Sequence, residues 1–162
     1  MLQTIQHIDL YFFRLLHTGM VNPLFDNLMP LLRNPFFWAP VYLFLLVWMF
    51  TVYKKAGLVW CLFFFITFIF CDYISAHIFK AMVQRVRPCN DESLAYLIRR
   101  IVQCGSGYSF PSTHAANHFG LSFFMIFTLG KKYKYLAVIV LTWALSVCFA
   151  QVYCGVHYPF DI

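Results

Sequence analysis

The chain has 162 residues, 62% of them hydrophobic, 21% aromatic and only 11% charged, with a mean hydropathy of +0.70 and a formal net charge of +6. Soluble domains carry about 25% charged residues, so this composition excludes an ordinary soluble globule and implies an integral membrane protein, which the apolar stretches below make all-α. The length allows one domain of a few helices, and neither a Ser/Gly/Pro-rich linker nor an internal repeat divides it.

In residues 1–35, Ile5, Leu10, Phe12, Phe13, Leu15 and Leu16 are interspersed with His7, Asp9, Arg14 and His17. That segment is too polar and too short to span a bilayer. It predicts one or two amphipathic helices lying in the interface, punctuated by Asn22-Pro23 and Asn34-Pro35, with a distorted additional span as the alternative. The first fifteen residues show no basic start and no small-residue cleavage site, so insertion is expected to rely on internal spans.

Four stretches approach the roughly 20 apolar residues needed to cross about 30 Å of hydrocarbon. They are 36–53; 56–80, whose end becomes more polar through Asp72 and His77 to Lys80; 115–129; and 135–152. Together they predict a polytopic helical bundle. Trp38, Tyr42, Tyr53, Tyr135 and Tyr153 suit interfacial belts, or equally core and lipid-facing positions.

Five of the six lysines lie in two short connections, Lys54 and Lys55 between the first two spans and Lys131, Lys132 and Lys134 between the last two. The positive-inside tendency makes both turns cytoplasmic. Span parity then puts the 81–113 loop and the segment from Tyr153 onward on the opposite face. Arg85, Arg87, Arg99 and Arg100 oppose that assignment. Cys89 and Cys104 flank the polar part of the external loop, where an oxidising compartment permits a disulfide, and they are expected to pair. Cys61, Cys71 and Cys148 read as ordinary buried residues.

Three polar strings interrupt the apolar chain where ionisable groups are costly unless they have a function. In the first, Lys80 precedes Arg87-Pro88. A helix continuing two turns past Lys80 returns Arg87 to the same face about 10 Å further on, and Pro88 stops it. A guanidinium fork beside an ammonium suits a phosphoryl group, although taken alone the pair reads as snorkelling interface cations. The second string, Pro111-Ser112-Thr113-His114, is a helix start whose free amides form an anion site. His114 in that first turn is placed to act as a proton donor beside bound phosphate. His114 and His118 could instead ligate a metal, but Ala115 stands where a metalloprotease-type motif has glutamate and no third ligand is indicated. In the third string His157 and Asp161 are four apart. A helix beginning near Tyr158-Pro159 lets the carboxylate reach the imidazole, fix its tautomer and stabilise it as it attacks phosphorus.

In order, content and spacing these strings resemble the type 2 phosphatidic acid phosphatase family of membrane lipid phosphatases, whose motifs read K-x6-R-P, P-S-G-H and S-R-x5-H-x3-D. The match runs from Lys80 to Asp161. The resemblance implies a helical-bundle phosphatase using no metal and no cofactor. His157 would form a phosphohistidine, Asp161 would orient it, and His114 would protonate the leaving oxygen. Lys80, Arg87, Ser112, Thr113 and the adjoining amides would hold the phosphoryl oxygens. It implies a lipid phosphate substrate and membrane lipids as surroundings, with no nucleic acid, in a bacterial inner membrane with the site facing the periplasm or exterior.

The departures are specific. Thr113 stands where the motif has glycine, and Ala150 and Gln151 replace the serine and arginine that open the third motif. Gln151 can donate a hydrogen bond to phosphate but brings no charge, so the site is expected to depend on Lys80 and Arg87, with Arg85 as a further candidate. The family continues past the last motif into another membrane helix, and the natural protein is expected to extend beyond Ile162. Substrates implied by the family are undecaprenyl pyrophosphate, which is favoured, phosphatidic acid, phosphatidylglycerol phosphate and the phosphates of lipid A. Residues 90–110 are expected to shape that choice, while Arg99 and Arg100 could contact anionic head groups. A catalytically silent relative that binds lipid phosphate, and a transporter or structural membrane protein, are the other readings.

Overall fold

The computed structural model describes residues 2–162, and every regular element among them is helical. Helices α1 (Leu2–His17) and α2 (Pro23–Leu32) precede the long apolar stretch α3 (Pro35–Tyr73). A π-helical stretch, Ile74–Phe79, leads into the single turn α4 (Lys80–Val83). After a long loop come α5 (Thr113–Leu129), α6 (Leu136–Tyr153) and a final 3-10 turn, Pro159–Asp161.

Within α3 the chain reverses at Lys54, whose φ of 50° and ψ of −121° break the helical path. A continuous helix would hold Tyr42 and Phe64 about 33 Å apart, yet their ring centroids lie 6.4 Å apart. The two halves therefore form an antiparallel hairpin. Gly57 permits the close approach, because a Cβ there would overlap the Met49 carbonyl.

The two halves of the hairpin, α5 and α6 enclose a core of Met49, Trp60, Phe64, Leu121, Met125, Leu129 and Val140. Ala144, Val147 and Ala150 recur along α6 at spacings of three and are fully buried, so α5 and α6 pack closely. Ser122 Oγ donates across the seam to the Val140 carbonyl at 2.9 Å. Phe44, Phe63, Phe70, Phe127 and Val138 point outward and are exposed. Apolar windows of mean hydropathy 2.1 and 2.0 lie in the hairpin and in α6. An apolar exterior around an apolar core is the arrangement lipid requires, and the protein is membrane-embedded. Both lysine turns sit at one end of the bundle: the Tyr53 and Tyr133 hydroxyls are 2.8 Å apart and Lys132 Nζ lies 4.7 Å from the Tyr53 ring centroid.

Two expectations need correction, and one reading left open is decided. The helix from Lys80 does not reach Arg87. It ends at Val83, Gln84 turns left-handed (φ 51°, ψ 33°), and Arg87 is extended (ψ 147°), as the residue before Pro88 is steered to be. Of the belt and core readings left open for Tyr153, the core one holds: it is fully buried and its hydroxyl donates to Asp26 Oδ1 at 2.6 Å. Trp38 and Tyr42 likewise pack on Trp143, while Tyr135 is exposed. In α1 the polar residues do not all face water, since Asp9, Phe13 and His17 form one buried stripe while Ile5, Ile8, Tyr11 and Leu15 are exposed. The pairing of Cys89 with Cys104 is present as a disulfide.

His17 clips α1 to the rest. Its Nδ1 donates to the Tyr153 carbonyl (2.7 Å) and its Nε2 accepts from the Arg99 amide (2.9 Å), an arrangement open only to neutral imidazole. Gly155 beside it has a φ of +75°, and a Cβ there would press on the His17 ring. Burial, opposed by the Tyr153 carbonyl and helped by the Arg99 charge, holds the His17 pKa below 6.5. The unfolded chain therefore binds the extra proton first, so the stability His17 contributes is complete above that value and declines as pH falls below it. The stability advantage of the parent over His17→Gln, measured by unfolding in detergent, should shrink between about pH 7.5 and about pH 5; a constant advantage would show that His17 is not held neutral.

Candidate active site

At the end of the bundle away from the lysine turns lies a cavity of about 520 Å³. Lys80, Arg87, Thr113, His114, Gln151 and His157, six of the eight residues expected from the motifs, line it. Lys80 comes from the end of the hairpin, His114 from the first turn of α5, Gln151 from the last turn of α6 and His157 from the turn beyond. Residues 103–106, tied back by the disulfide, close one side. Arg87 Nε donates to the Gly107 carbonyl at 2.7 Å and Asn90 Nδ2 to the Gly105 carbonyl at 3.0 Å, which hold this loop over the opening.

The other two expected residues sit behind the wall. Ser112 is fully buried and is the N-cap of α5, its Oγ accepting from the Ala115 amide at 3.4 Å. Its own amide donates to the Asp161 carbonyl at 2.7 Å, which couples the start of α5 to the last turn. Asp161 Oδ2 accepts from the Tyr158 amide at 2.7 Å and Oδ1 from Arg85 Nη1 at 2.7 Å. His118 does not turn toward the cavity: its Nδ1 pairs with the His114 carbonyl at 2.7 Å and its ring lies 4.7 Å from that of Trp143.

His157 is nearly inaccessible, with 2% exposure. Its Nε2 lies 3.4 Å from Arg87 Nη1, which can only donate, and its Nδ1 lies 3.5 Å from Asp161 Oδ2. These neighbours assign the neutral tautomer with hydrogen on Nδ1 and a lone pair on Nε2. Burial, opposed by the Asp161 carboxylate and reinforced by the Arg87 and Lys80 charges, lowers the His157 pKa. The contact with Asp161 is long because that carboxylate is already committed to Arg85 and to Tyr158. Asp161 acts on the imidazole through its charge and through the turn it caps.

Arg85, a candidate phosphate cation in the sequence, is spent elsewhere. Its guanidinium bridges Asp161 and Asp9, both buried, and lies 4.0 Å from the Tyr158 ring centroid. Asp9 also accepts from the Phe160 amide at 2.9 Å. Arg99 is not free for head groups, since its Nη2 binds both oxygens of Asp26 at 2.6 and 2.7 Å. Sequence reading missed Asp9 as a support and Arg33, from the α2–α3 junction, as a lining residue. A charged residue embedded in an apolar segment was the available signal for both.

Removing Arg85 strands two buried carboxylates. Arg85→Gln should cost about 3 kcal/mol of stability, read by chemical unfolding in detergent, whereas a loss no larger than that of Arg14→Gln at the exposed Tyr96 contact would deny it this role. His157, followed by NMR of labelled imidazole, should titrate below 6.5, and Asp161→Asn should lower it further because the opposing carboxylate is gone; a rise in that variant would show the pair is not coupled as described.

The sequence profile of the PAP2 superfamily matches residues 58–162. A lipid A 4'-phosphatase of Bacteroides thetaiotaomicron is 30% identical over 153 residues, covering 91% of this chain, and the chain spans 66% of that relative's length. The crystal structure of a transmembrane PAP2-type phosphatidylglycerolphosphate phosphatase from Bacillus subtilis shares the fold, with a TM-score of 0.66 and 22% identity over 98% of this chain and 77% of that one. With the three motif strings gathered at one cavity of a membrane-embedded helical bundle, the chain belongs to the PAP2 superfamily, the type 2 phosphatidic acid phosphatases.

Proposed function

We propose that the protein is an integral-membrane lipid phosphatase that hydrolyses an envelope lipid phosphate through a phosphohistidine, without a metal ion. The observation that carries this reading is the placement of His157, with its Nε2 lone pair on a cavity wall shared with Lys80, Arg87 and His114 and its Nδ1 backed by Asp161.

Attack of Nε2 on phosphorus forms a P–N bond as the bond to the lipid oxygen breaks. The imidazolium of His114, favoured once a phosphate dianion is bound, gives its proton to that oxygen. The positive charge gained by His157 is balanced by Asp161. Water then attacks phosphorus, His114 takes its proton, and the P–N bond breaks to release inorganic phosphate and restore both histidines. Lys80 and Arg87 stabilise the charge on the transferring oxygens. Thr113 lines the cavity beside the free amides of α5, where its bulk is compatible with an anion at the helix start.

The resemblance to the family, whose small members often act on undecaprenyl pyrophosphate, favours that lipid as substrate. The likeness to a protein named lipid A 4'-phosphatase supports a lipid phosphomonoester instead. The lysine turns at the far end of the bundle support a site facing the periplasm. A silent relative that binds lipid phosphate is the second reading, favoured by Gln151 in place of the motif arginine.

Phosphate release should be measured in detergent with chelator present, over lipid A, phosphatidylglycerol phosphate, phosphatidic acid and undecaprenyl pyrophosphate. Release from at least one lipid is expected, abolished in His157→Ala and reduced about 100-fold or more in His114→Ala. Release from no lipid would leave the silent reading, activity surviving His157→Ala would remove the phosphohistidine, and loss to chelator alone would remove the metal-free mechanism.

A further inference from the structure

Among the described residues, Arg33 is the one arginine or lysine on the cavity wall that neither the motifs nor the mechanism above employs. We propose that it is a phosphate-binding residue and that, from the junction of α2 and α3, it supplies the guanidinium missing at Gln151. The proposal rests on the reading of this cavity as a phosphate site.

The first observation is a contrast among arginines. Arg85 and Arg99 are each bound to carboxylates. Arg33 forms no ion pair among the described residues, and its Nε is buried with no hydrogen-bond partner. Leaving a guanidinium half-buried and uncompensated is costly. Arg33 also shares its cavity with two further cations, Lys80 and Arg87, and burial together with the Arg33 charge pushes the Arg87 guanidinium below its ordinary pKa. Three cations facing one space, without a carboxylate among the lining residues, are compensated when an anion occupies it.

The second observation is independent and concerns Gln151. It is fully buried, lines the same cavity, and neither its Oε1 nor its Nε2 has a partner. A neutral amide can donate to a phosphate oxygen, but it brings neither charge nor fork. The packing explains how a residue so distant in sequence serves the same space. Met29 of α2 packs against Ala150, Tyr153 and Cys154 of α6. Asp26, one turn earlier, takes a hydrogen bond from the Tyr153 hydroxyl. Arg33 caps α2 with its amide bonded to the Met29 carbonyl at 3.2 Å, and Asn34 caps α3 through the Phe36 amide at 3.0 Å. The arginine is thereby fixed at the edge of the cavity beside the last turn of α6. The cationic charge has moved from α6 to a neighbouring helix junction while the cavity stays the same.

The test uses the full chain in detergent, with orthovanadate and inorganic phosphate as probes whose equilibrium binding does not require turnover. Arg33→Ala should weaken binding about 10- to 100-fold, with Arg33→Lys intermediate. Added guanidinium ion, or the second substitution Gln151→Arg, should restore a large part of the Arg33→Ala loss, which a merely structural arginine would not allow. Unchanged affinity in Arg33→Ala overturns the proposal, as does a loss that neither guanidinium nor Gln151→Arg recovers while the melting temperature matches the parent. Should Arg33→Ala not fold, unchanged affinity in folded Arg33→Lys overturns it and a weakening supports it. Arg33-dependent vanadate binding in a parent that releases phosphate from no lipid supports the proposal while the catalytic reading fails. A parent that binds neither vanadate nor phosphate overturns both.

Discussion

The site depends on one guanidinium that never touches the cavity. Arg85 stands between two buried carboxylates, Asp9 on the N-terminal helix and Asp161 at the last turn, and covers the Tyr158 ring. Buried charges survive only when paired and hydrogen-bonded, and here each carboxylate also accepts a backbone amide, from Phe160 and from Tyr158. These bonds join α1, the segment after α4 and the 157–161 turn into one unit. His157 is held by that unit, and so is the start of α5, through the Ser112 amide on the Asp161 carbonyl.

This arrangement separates two uses of positive charge in an apolar protein. Arg85 and Arg99 are neutralised by Asp9, Asp161 and Asp26, and they hold helices and loops together. Lys80, Arg87 and Arg33 face the cavity with no carboxylate beside them on its lining. The first group ties the fold together, and the second leaves uncompensated positive charge on the cavity wall, the feature on which the proposed phosphate site rests. The disulfide between Cys89 and Cys104 and the bonds from Arg87 to Gly107 and Asn90 to Gly105 keep the loop over this charged space.

Much of the frame was legible because lipid imposes simple demands. Apolar runs, helix-start residues and lysine-rich turns mark α5, α6 and both halves of the α3 hairpin to within a few residues. Six motif residues line one cavity. The failures share a cause. Lys80 and Arg87 reach one cavity not along a continuous helix but because Gln84 breaks it and an extended segment brings Arg87 back. Asp9 and His17 look like the wet face of an interfacial helix, yet they are buried against Arg85 and Tyr153. Periodicity reports that a helix has two faces, but in a membrane protein the polar face can be the one turned inward.

The sequence by itself determined the solvent, the helical class and the chemical inventory, because hydropathy, helix capping and the three polar strings are local properties of the chain. Only the tertiary structure decided the assignment of charges. Whether an arginine is a strut or a ligand depends on which carboxylates lie within a few ångströms, and those come from residues as distant as Asp9 and Asp161. That is why Arg85, beside the first motif, proves structural, while Arg33, in no motif, faces the cavity next to Gln151.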